Sequence, residues 1–195
     1  MKNLLREAVR GKAADYLEVR VEESQLTAIV FQGSSLDRVS QSVSYGGNIR
    51  ALVNGGWGFA SFNRLEDLEA NEAAAIRQAE IIGRVLKGKS QRAPVPVVED
   101  IVPLQVRNDP RSASLESKVR LLQEYNEGIL GFGDPVTSSS VYYSDKYTKL
   151  YFANSEGTYI EQEKIDLAGR ISAIASRGGQ SQQGTFSFGS TDDFG

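Results

Sequence analysis

The sequence predicts an α+β protein built from two helix-plus-antiparallel-sheet units of the two-layer sandwich type, the second of them truncated at its C-terminal end. Three observations carry this. Long stretches alternate apolar and polar residues with a period of two, and three segments hold apolar faces at helical spacing. The chain also rhymes with itself: Thr27-Ala28-Ile29-Val30-Phe31-Gln32-Gly33-Ser34 lies over Thr148-Lys149-Leu150-Tyr151-Phe152-Ala153-Asn154-Ser155. Either two β-rich stretches agree by chance, or each belongs to a repeated unit. The expected division is a first unit at 1–89, an extended connector at 90–109 and a second unit at 110–195.

Taken in order, Leu4, Leu5, Ala8 and Val9 share one face of a short helix, with Gly11 placed for a left-handed cap. Leu17, Val19 and Val21 alternate with Glu18, Arg20 and Glu22 in a half-buried strand, and Leu26 to Phe31 make a second. Val39, Gln41 and Val43 alternate in a third. A turn is expected at Gly46-Gly47, then a strand with Ile49, Ala51 and Val53. Asn54-Gly55 is a strong hairpin signal, with Trp57 to Phe62 returning. Asn63 and Glu66 form a helix-start pair, and Leu68, Ala75, Ile76, Ala79, Ile82 and Leu86 give that helix one face, interrupted by Glu72 and ending near Gly88. Pro94, Pro96 and Pro103 mark the connector. Asp109-Pro110 is expected to open a second long helix, with Leu115, Val119, Leu122 and Ile129 on its apolar face. Strands then run from about Ser138 to Phe188.

Composition excludes several chemistries. With 195 residues the chain can bury about two-thirds of its unfolded surface without disulfides. A net charge of −3 argues against a protein whose main task is gripping nucleic acid. Zero Cys removes disulfides, thiolate metal sites and thiol nucleophiles, and zero His removes the usual general base and the HExxH zinc helix. No stretch approaches the length of a membrane span, and Met1 to Glu7 lack the apolar run of a secretory peptide. The expected compartment is the cytoplasm.

Gly83-Arg84-Val85-Leu86-Lys87-Gly88-Lys89-Ser90 satisfies the GxxxxGK[ST] pattern of a phosphate-cradling loop. That loop needs a strand before it and a helix after it. Here a helix comes before it and Gln91-Arg92-Ala93-Pro94 after it, so it reads as a helix end. Gly56, Trp57, Gly58 and Phe59 have two readings: a hairpin whose aromatics enter the core, or a glycine-lined surface for a peptide cleft or interface. Asn54, Gly55, Asn154 and Gly157 are expected turn residues. The acidic pairs Glu22-Glu23, Glu99-Asp100 and Asp192-Asp193 point to opposite faces of a strand and suit solvated surface better than acid–base chemistry. Tyr142, Tyr143, Tyr147, Tyr151 and Tyr159 give the second sheet its aromatic packing.

Ala14-Asp15-Tyr16-Leu17-Glu18-Val19-Arg20, Gly47-Asn48-Ile49-Arg50-Ala51-Leu52-Val53 and Gly56-Trp57-Gly58-Phe59-Ala60 together resemble the N-terminal region of the TldD/PmbA family. So does Tyr151-Phe152-Ala153-Asn154-Ser155-Glu156-Gly157, with Arg170 and Gly178-Gly179 beyond it. The resemblance covers essentially the whole chain. It implies cytoplasmic zinc metallopeptidases acting on peptides, including precursors of peptide antibiotics and unfolded antitoxins. A TldD-type catalytic subunit pairs with a PmbA-type partner lacking the metal site. The older family label, modulator of DNA gyrase, implies no DNA contact.

The family's HExxxH zinc helix lies in the C-terminal half of a longer chain, and no residue here matches it. No catalytic or metal residue is therefore carried over, and no cofactor is expected in this chain, zinc being expected in the full-length enzyme. The expected function is the substrate-framing and subunit-pairing N-terminal part of a TldD-like peptidase, inactive alone. The alternative is a non-catalytic PmbA-type binding or assembly subunit. Expected partners are a peptide substrate and a homo- or hetero-dimeric TldD/PmbA-type subunit, with no nucleic acid and no membrane. A fragment of this kind is also expected to leave apolar surface bare, to self-associate, and to show weak exchange protection from Ser172 onward.

Overall fold

The computed structural model describes residues 1–191. Its elements are helix α1 (Lys2–Val9), strands β1 (Tyr16–Gln32), β2 (Ser35–Val53) and β3 (Gly56–Phe62), helix α2 (Leu68–Val85), strand β4 (Glu99–Val102), helix α3 (Leu115–Leu130), and strands β5 (Val136–Asn154), β6 (Tyr159–Arg177) and β7 (Gln180–Ser190). The strands follow the order β3-β2-β1-β5-β6-β4, with β7 also on β6. The protein is thus α+β with a large, mainly antiparallel sheet; β4 joins β6 in parallel, Glu99 beside Tyr159.

Several expected boundaries move. Residues 16–32 form one strand rather than two, because Glu23-Ser24-Gln25 contains no Gly, Pro, Asn or Asp and Ser24 is buried with its hydroxyl 2.8 Å from that of Ser44. Gly46-Gly47 is not a turn but lies inside β2. Gly47 stands opposite Phe62, and a Cβ there would sit 2.3 Å from the Phe62 ring, so the glycine makes room for an aromatic. The connector contains β4. Asp109-Pro110 opens a single 3-10 turn, its carboxylate accepting the Arg111 N–H, whereas α3 starts later, capped by the Ser114 hydroxyl on the Ser117 N–H.

Helix α2 also begins later than the Asn63–Glu66 pair suggested. A 3-10 turn over Leu65–Asp67 precedes it, held by the Arg64 guanidinium on the Asp67 carboxylate. It ends at Val85, and its buried face is Leu68, Glu72, Ala75, Ala79 and Gly83. Ile82 and Leu86 are exposed. After Leu68 and Glu72, that face is made of small residues.

Contacts divide the chain into two compact units. The first draws on Met1–Ser24, Ser44–Pro103 and Thr148–Glu163. Its core joins Leu5 and Val9 of α1, Leu17, Val19 and Val21 of β1, Ile49 and Ala51 of β2, Ala75 and Ala79 of α2, and Tyr151 and Tyr159. The second draws on Gln25–Val43, Leu104–Tyr147 and the chain from Lys164 on. Its core joins Ile29 and Phe31, Leu122 of α3, Val141, Tyr143 and Tyr147, and Ile165 and Leu167, with Leu115, Val119 and Ile129 packed against them. No helix among the described residues is long and apolar enough to cross a membrane.

An arginine and aromatic face as candidate functional site

The site is built on the β2–β3 hairpin of the first unit. Asn54 (φ 48°) and Gly55 (φ 78°) are both left-handed, as the type I′ two-residue hairpin turn requires, and Val53 pairs with Gly56 across it. Alternation along β3 then buries Gly56, Gly58, Ala60 and Phe62 and turns Trp57, Phe59 and Ser61 the other way. Another backbone does approach the glycines closely, and it is that of α2. A Cβ on Gly58 would lie 1.9 Å from the Ala75 carbonyl oxygen, one on Gly56 2.2 Å from the Gly83 nitrogen, and one on Gly83 2.3 Å from the Val53 oxygen. Gly56 and Gly58 therefore sit under the helix, while Trp57 and Phe59 occupy the opposite face.

On that face the side chains stack. The Arg50 guanidinium lies 4.6 Å from the centre of the Trp57 ring, and Tyr16 meets Trp57 edge-on at 6.1 Å. Arg50 donates to Glu18 at 3.1 Å, and the Tyr16 hydroxyl donates to the same carboxylate at 2.5 Å. The Arg92 guanidinium stacks 3.4 Å from the Tyr16 ring centre and grips Glu156 with two hydrogen bonds, at 2.5 and 2.9 Å. Burial, then the Glu18 hydrogen bond, pushes the Tyr16 hydroxyl up to about 12, so it stays a donor at neutral pH. Arg92 holds Glu156 below its ordinary value. Each cation–aromatic contact contributes about 0.5–1 kcal/mol where exposed.

Phe59 is 54% exposed, and its N–H donates to Gln78 at 3.3 Å. Beside it runs a groove of about 420 Å³ lined by Arg20, Glu22, Ser44, Asn48, Phe59 and Ser61. Tyr45 is also among the residues lining this groove, and its side chain packs against the first unit's core. Its hydroxyl is buried without a hydrogen-bond partner among the described residues, and burial, with help from Glu23 and Glu66, pushes it up to about 12.

The turn at Asn154 to Gly157 supports the same face. The buried Asn154 side-chain oxygen accepts from the Glu156 and Thr158 N–H groups, and Gly157 takes φ 105°. Ser155 ties this turn to β1: its N–H donates to the Leu17 carbonyl and its hydroxyl accepts the Leu17 N–H. Sequence reasoning singled out Trp57 and Phe59 but not Tyr16, Glu18, Arg50, Arg92 or Glu156. The alternation of Arg50 and Glu18 on neighbouring strands was the available signal for two of them; Arg92 sits in the connector, where no periodicity points anywhere.

The acidic pairs do not converge. Glu99 accepts from Lys2 first and Arg6 second, which lower its pKa, and Asp192-Asp193 lies outside the described residues. No three carboxylates among the described residues could hold a metal ion, and the sequence offers neither His nor Cys. The Gly83–Ser90 motif is the end of α2 followed by coil, with the Ser90 N–H on the Gly55 carbonyl. No helix follows it to aim backbone N–H groups at a phosphate, so ATP is expected to leave the melting temperature unchanged in the wild type and in Lys89→Ala alike. A nucleotide-dependent rise lost in Lys89→Ala would reverse this assignment.

A profile described as PmbA/TldA metallopeptidase domain 1 matches residues 17–82, and one described as PmbA/TldA metallopeptidase central domain matches residues 108–195. Metalloprotease slr0863 of Synechocystis is 36% identical over 183 residues, 93% of this chain and 39% of that protein. A metalloprotease of Methanothermobacter thermautotrophicus is 28% identical over 180 residues, 92% of this chain and 38% of its own. The chain thus spans about two-fifths of the length of these curated relatives. Among solved structures, a proposed modulator of DNA gyrase from Bacteroides thetaiotaomicron aligns with a TM-score of 0.79 at 20% identity, over 98% of this chain and 45% of that one. TldE from Thermococcus kodakarensis aligns with 0.66 at 18%, over 96% and 42%. At these identities the likeness is one of fold.

Proposed function

Because the chain belongs to the PmbA/TldD metallopeptidase family, with that family's first and central domains in its sequence, we propose that it is the substrate-framing and subunit-pairing part of a TldD-like zinc metallopeptidase acting on peptides or unfolded proteins in the cytoplasm. The observation that carries the reading is the face of β3. There Phe59 lines a polar groove on the last strand of the sheet order, with the Trp57–Arg50 stack on the same face, a surface suited to an extended peptide whose side chains alternate. Gly56 and Gly58 serve it from beneath by letting α2 lock the strand. Asn54, Gly55, Asn154 and Gly157 serve it by fixing the two adjoining turns.

The zinc that the family implies does not fit these residues. With no imidazole, no thiolate and no convergent carboxylates among the described residues, the donor set is missing. Ligands and general base would come from the remainder of a longer protein, and the 195-residue chain alone should neither cleave peptides nor bind zinc tightly. A second reading, a non-catalytic PmbA-type binding or assembly subunit, draws on the same missing donors and on the fold likeness to TldE. An HExxxH motif in the remainder would favour the first reading, its absence the second.

The test is fluorescence anisotropy of a labelled, unfolded peptide titrated with the chain. Phe59 is exposed enough to remove without unfolding the protein, so Phe59→Ala should weaken binding about 5- to 30-fold, and Trp57→Ala by as much or more. Equal affinity in wild type and both variants, with unchanged circular dichroism, would remove the face from the proposal.

A further inference from the structure

Strand β2 is 19 residues long, but β3 pairs with it only from Gly47 to Val53. Among the described residues no strand lies against the outer edge of the segment from Ser35 to Val43, and every residue of it is exposed. Val43 is 78% exposed and Val39 38%. Open edges are normally blunted by Pro, by Lys, by a bulge or by a covering loop. This one has none of the first two, and its one charge pair, Asp37-Arg38, sits towards one end. Such an edge is a ready template for pairing with another strand.

We propose that this edge pairs antiparallel with the same edge of a second copy of the chain, about a two-fold axis at Gln41. The inference deepens the subunit-pairing part of the function proposed above and rests on it. The occupant follows from the side chains. A two-fold perpendicular to the sheet places residues equidistant from the axis opposite each other, on one face. An axis at Asp37 or Arg38 would set like charges opposite each other, which is unfavourable. An axis at Gln41 sets Val39 opposite Val43 twice, Ser40 opposite Ser42 twice, and Gln41 opposite Gln41. Both exposed valines are covered, and each charged residue is kept away from its own copy. Paired β-branched residues and facing amides are the favourable cross-strand combinations. Few other extended segments would match both valines and the serines between them, so a second copy fits better than an arbitrary peptide.

Sedimentation velocity of the 195-residue chain across a concentration series tests this. The wild type should sediment as a dimer at high concentration. Val43→Lys, at a position already facing water, should sediment as a monomer with an unchanged melting temperature, read separately after correction to the monomer. Adding Val39→Glu to Val43→Lys should restore the dimer, because each new glutamate then faces a lysine of the other copy. A dimer that survives Val43→Lys would overturn the edge while leaving subunit pairing intact. Loss in Val43→Lys without rescue by the double change would overturn the axis at Gln41. A wild type that stays monomeric at every concentration, with Ser35–Val43 protected from exchange only when an unfolded peptide is added, would overturn the second copy as occupant. A wild type that stays monomeric with no such protection would overturn the pairing reading as well. None of these outcomes bears on peptide binding at Phe59, which is measured separately.

Discussion

Gly58→Ala should unfold the first unit or leave it insoluble. One methyl group is a small change, but its position decides the outcome. The new Cβ would lie 1.9 Å from the Ala75 oxygen, 2.7 Å from the Ala79 nitrogen and 2.9 Å from the Ala75 carbonyl carbon. All three are backbone atoms of α2, so no rotamer change relieves the clash and the whole helix must move. Moving it uncovers Leu68, Ala75 and Ala79, which are at most 5% exposed. Ordinary overpacking costs about 1–3 kcal/mol. Displacing a helix from its core should exceed about 4 kcal/mol, a large part of the roughly 5–15 kcal/mol that holds a domain folded. Gly88→Ala is the control: nothing lies within 4 Å of its added methyl, and its backbone is not left-handed. Urea unfolding should find the control within about 0.5 kcal/mol of wild type. If Gly58→Ala unfolds at the wild-type midpoint, the close packing of β3 on α2 is wrong.

The second large effect belongs to the other unit. Lys118 on α3 and Asp145 on β5 form an ion pair at 2.6 Å with side chains only 3% and 5% exposed. Burying both charges is costly, and the pair stands because each neutralises the other. Lys118→Met leaves the buried Asp145 carboxylate without its cation and should cost about 3–5 kcal/mol. Changing both, Lys118→Met with Asp145→Leu, removes the stranded charge and should recover most of that loss. The same carboxylate adds to burial in holding the Tyr143 hydroxyl far above its ordinary value, so Tyr143 remains a protonated phenol throughout the test. The measurement is the chemical-denaturation midpoint of the two single variants and the double. Additive losses in the double variant would show that the two charges are not coupled.

Alternation and helical stripes made the α+β class legible, and the core positions Leu17, Val19, Val21, Ile49 and Ala51 could be read from them directly. What could not be read were decisions made by tertiary contacts. Glu23-Ser24-Gln25 looks like a break in pattern, yet the ladder continues through it because Ser24 is satisfied by Ser44. Gly46-Gly47 looks like a turn, yet it is the gap that admits Phe62. In α2 the large residues Ile82 and Leu86 suggested the buried face. The glycines of β3 instead admit the helix backbone so closely that Ala75, Ala79 and Gly83 are what faces them. The neighbours of Trp57 were equally hidden. Arg92 reaches Tyr16 from a coil, and nothing in a coil's sequence announces a stacking partner.

The first unit takes strand segments from three separated parts of the chain, and this bears on how the protein is made. Its core lacks Tyr151, Ala153 and Tyr159 until Thr148–Glu163 has left the ribosome, roughly 120 residues after Ser24. At about 5–20 residues per second, that delay is on the order of ten seconds. Throughout it the apolar faces of Leu17, Val19 and Val21 have no β5 beside them, even once the β2–β3 hairpin and then α2 have emerged. A nascent chain in that state is a natural client for chaperones that shield exposed strands, and slow codons between Leu130 and Thr148 would lengthen its exposure.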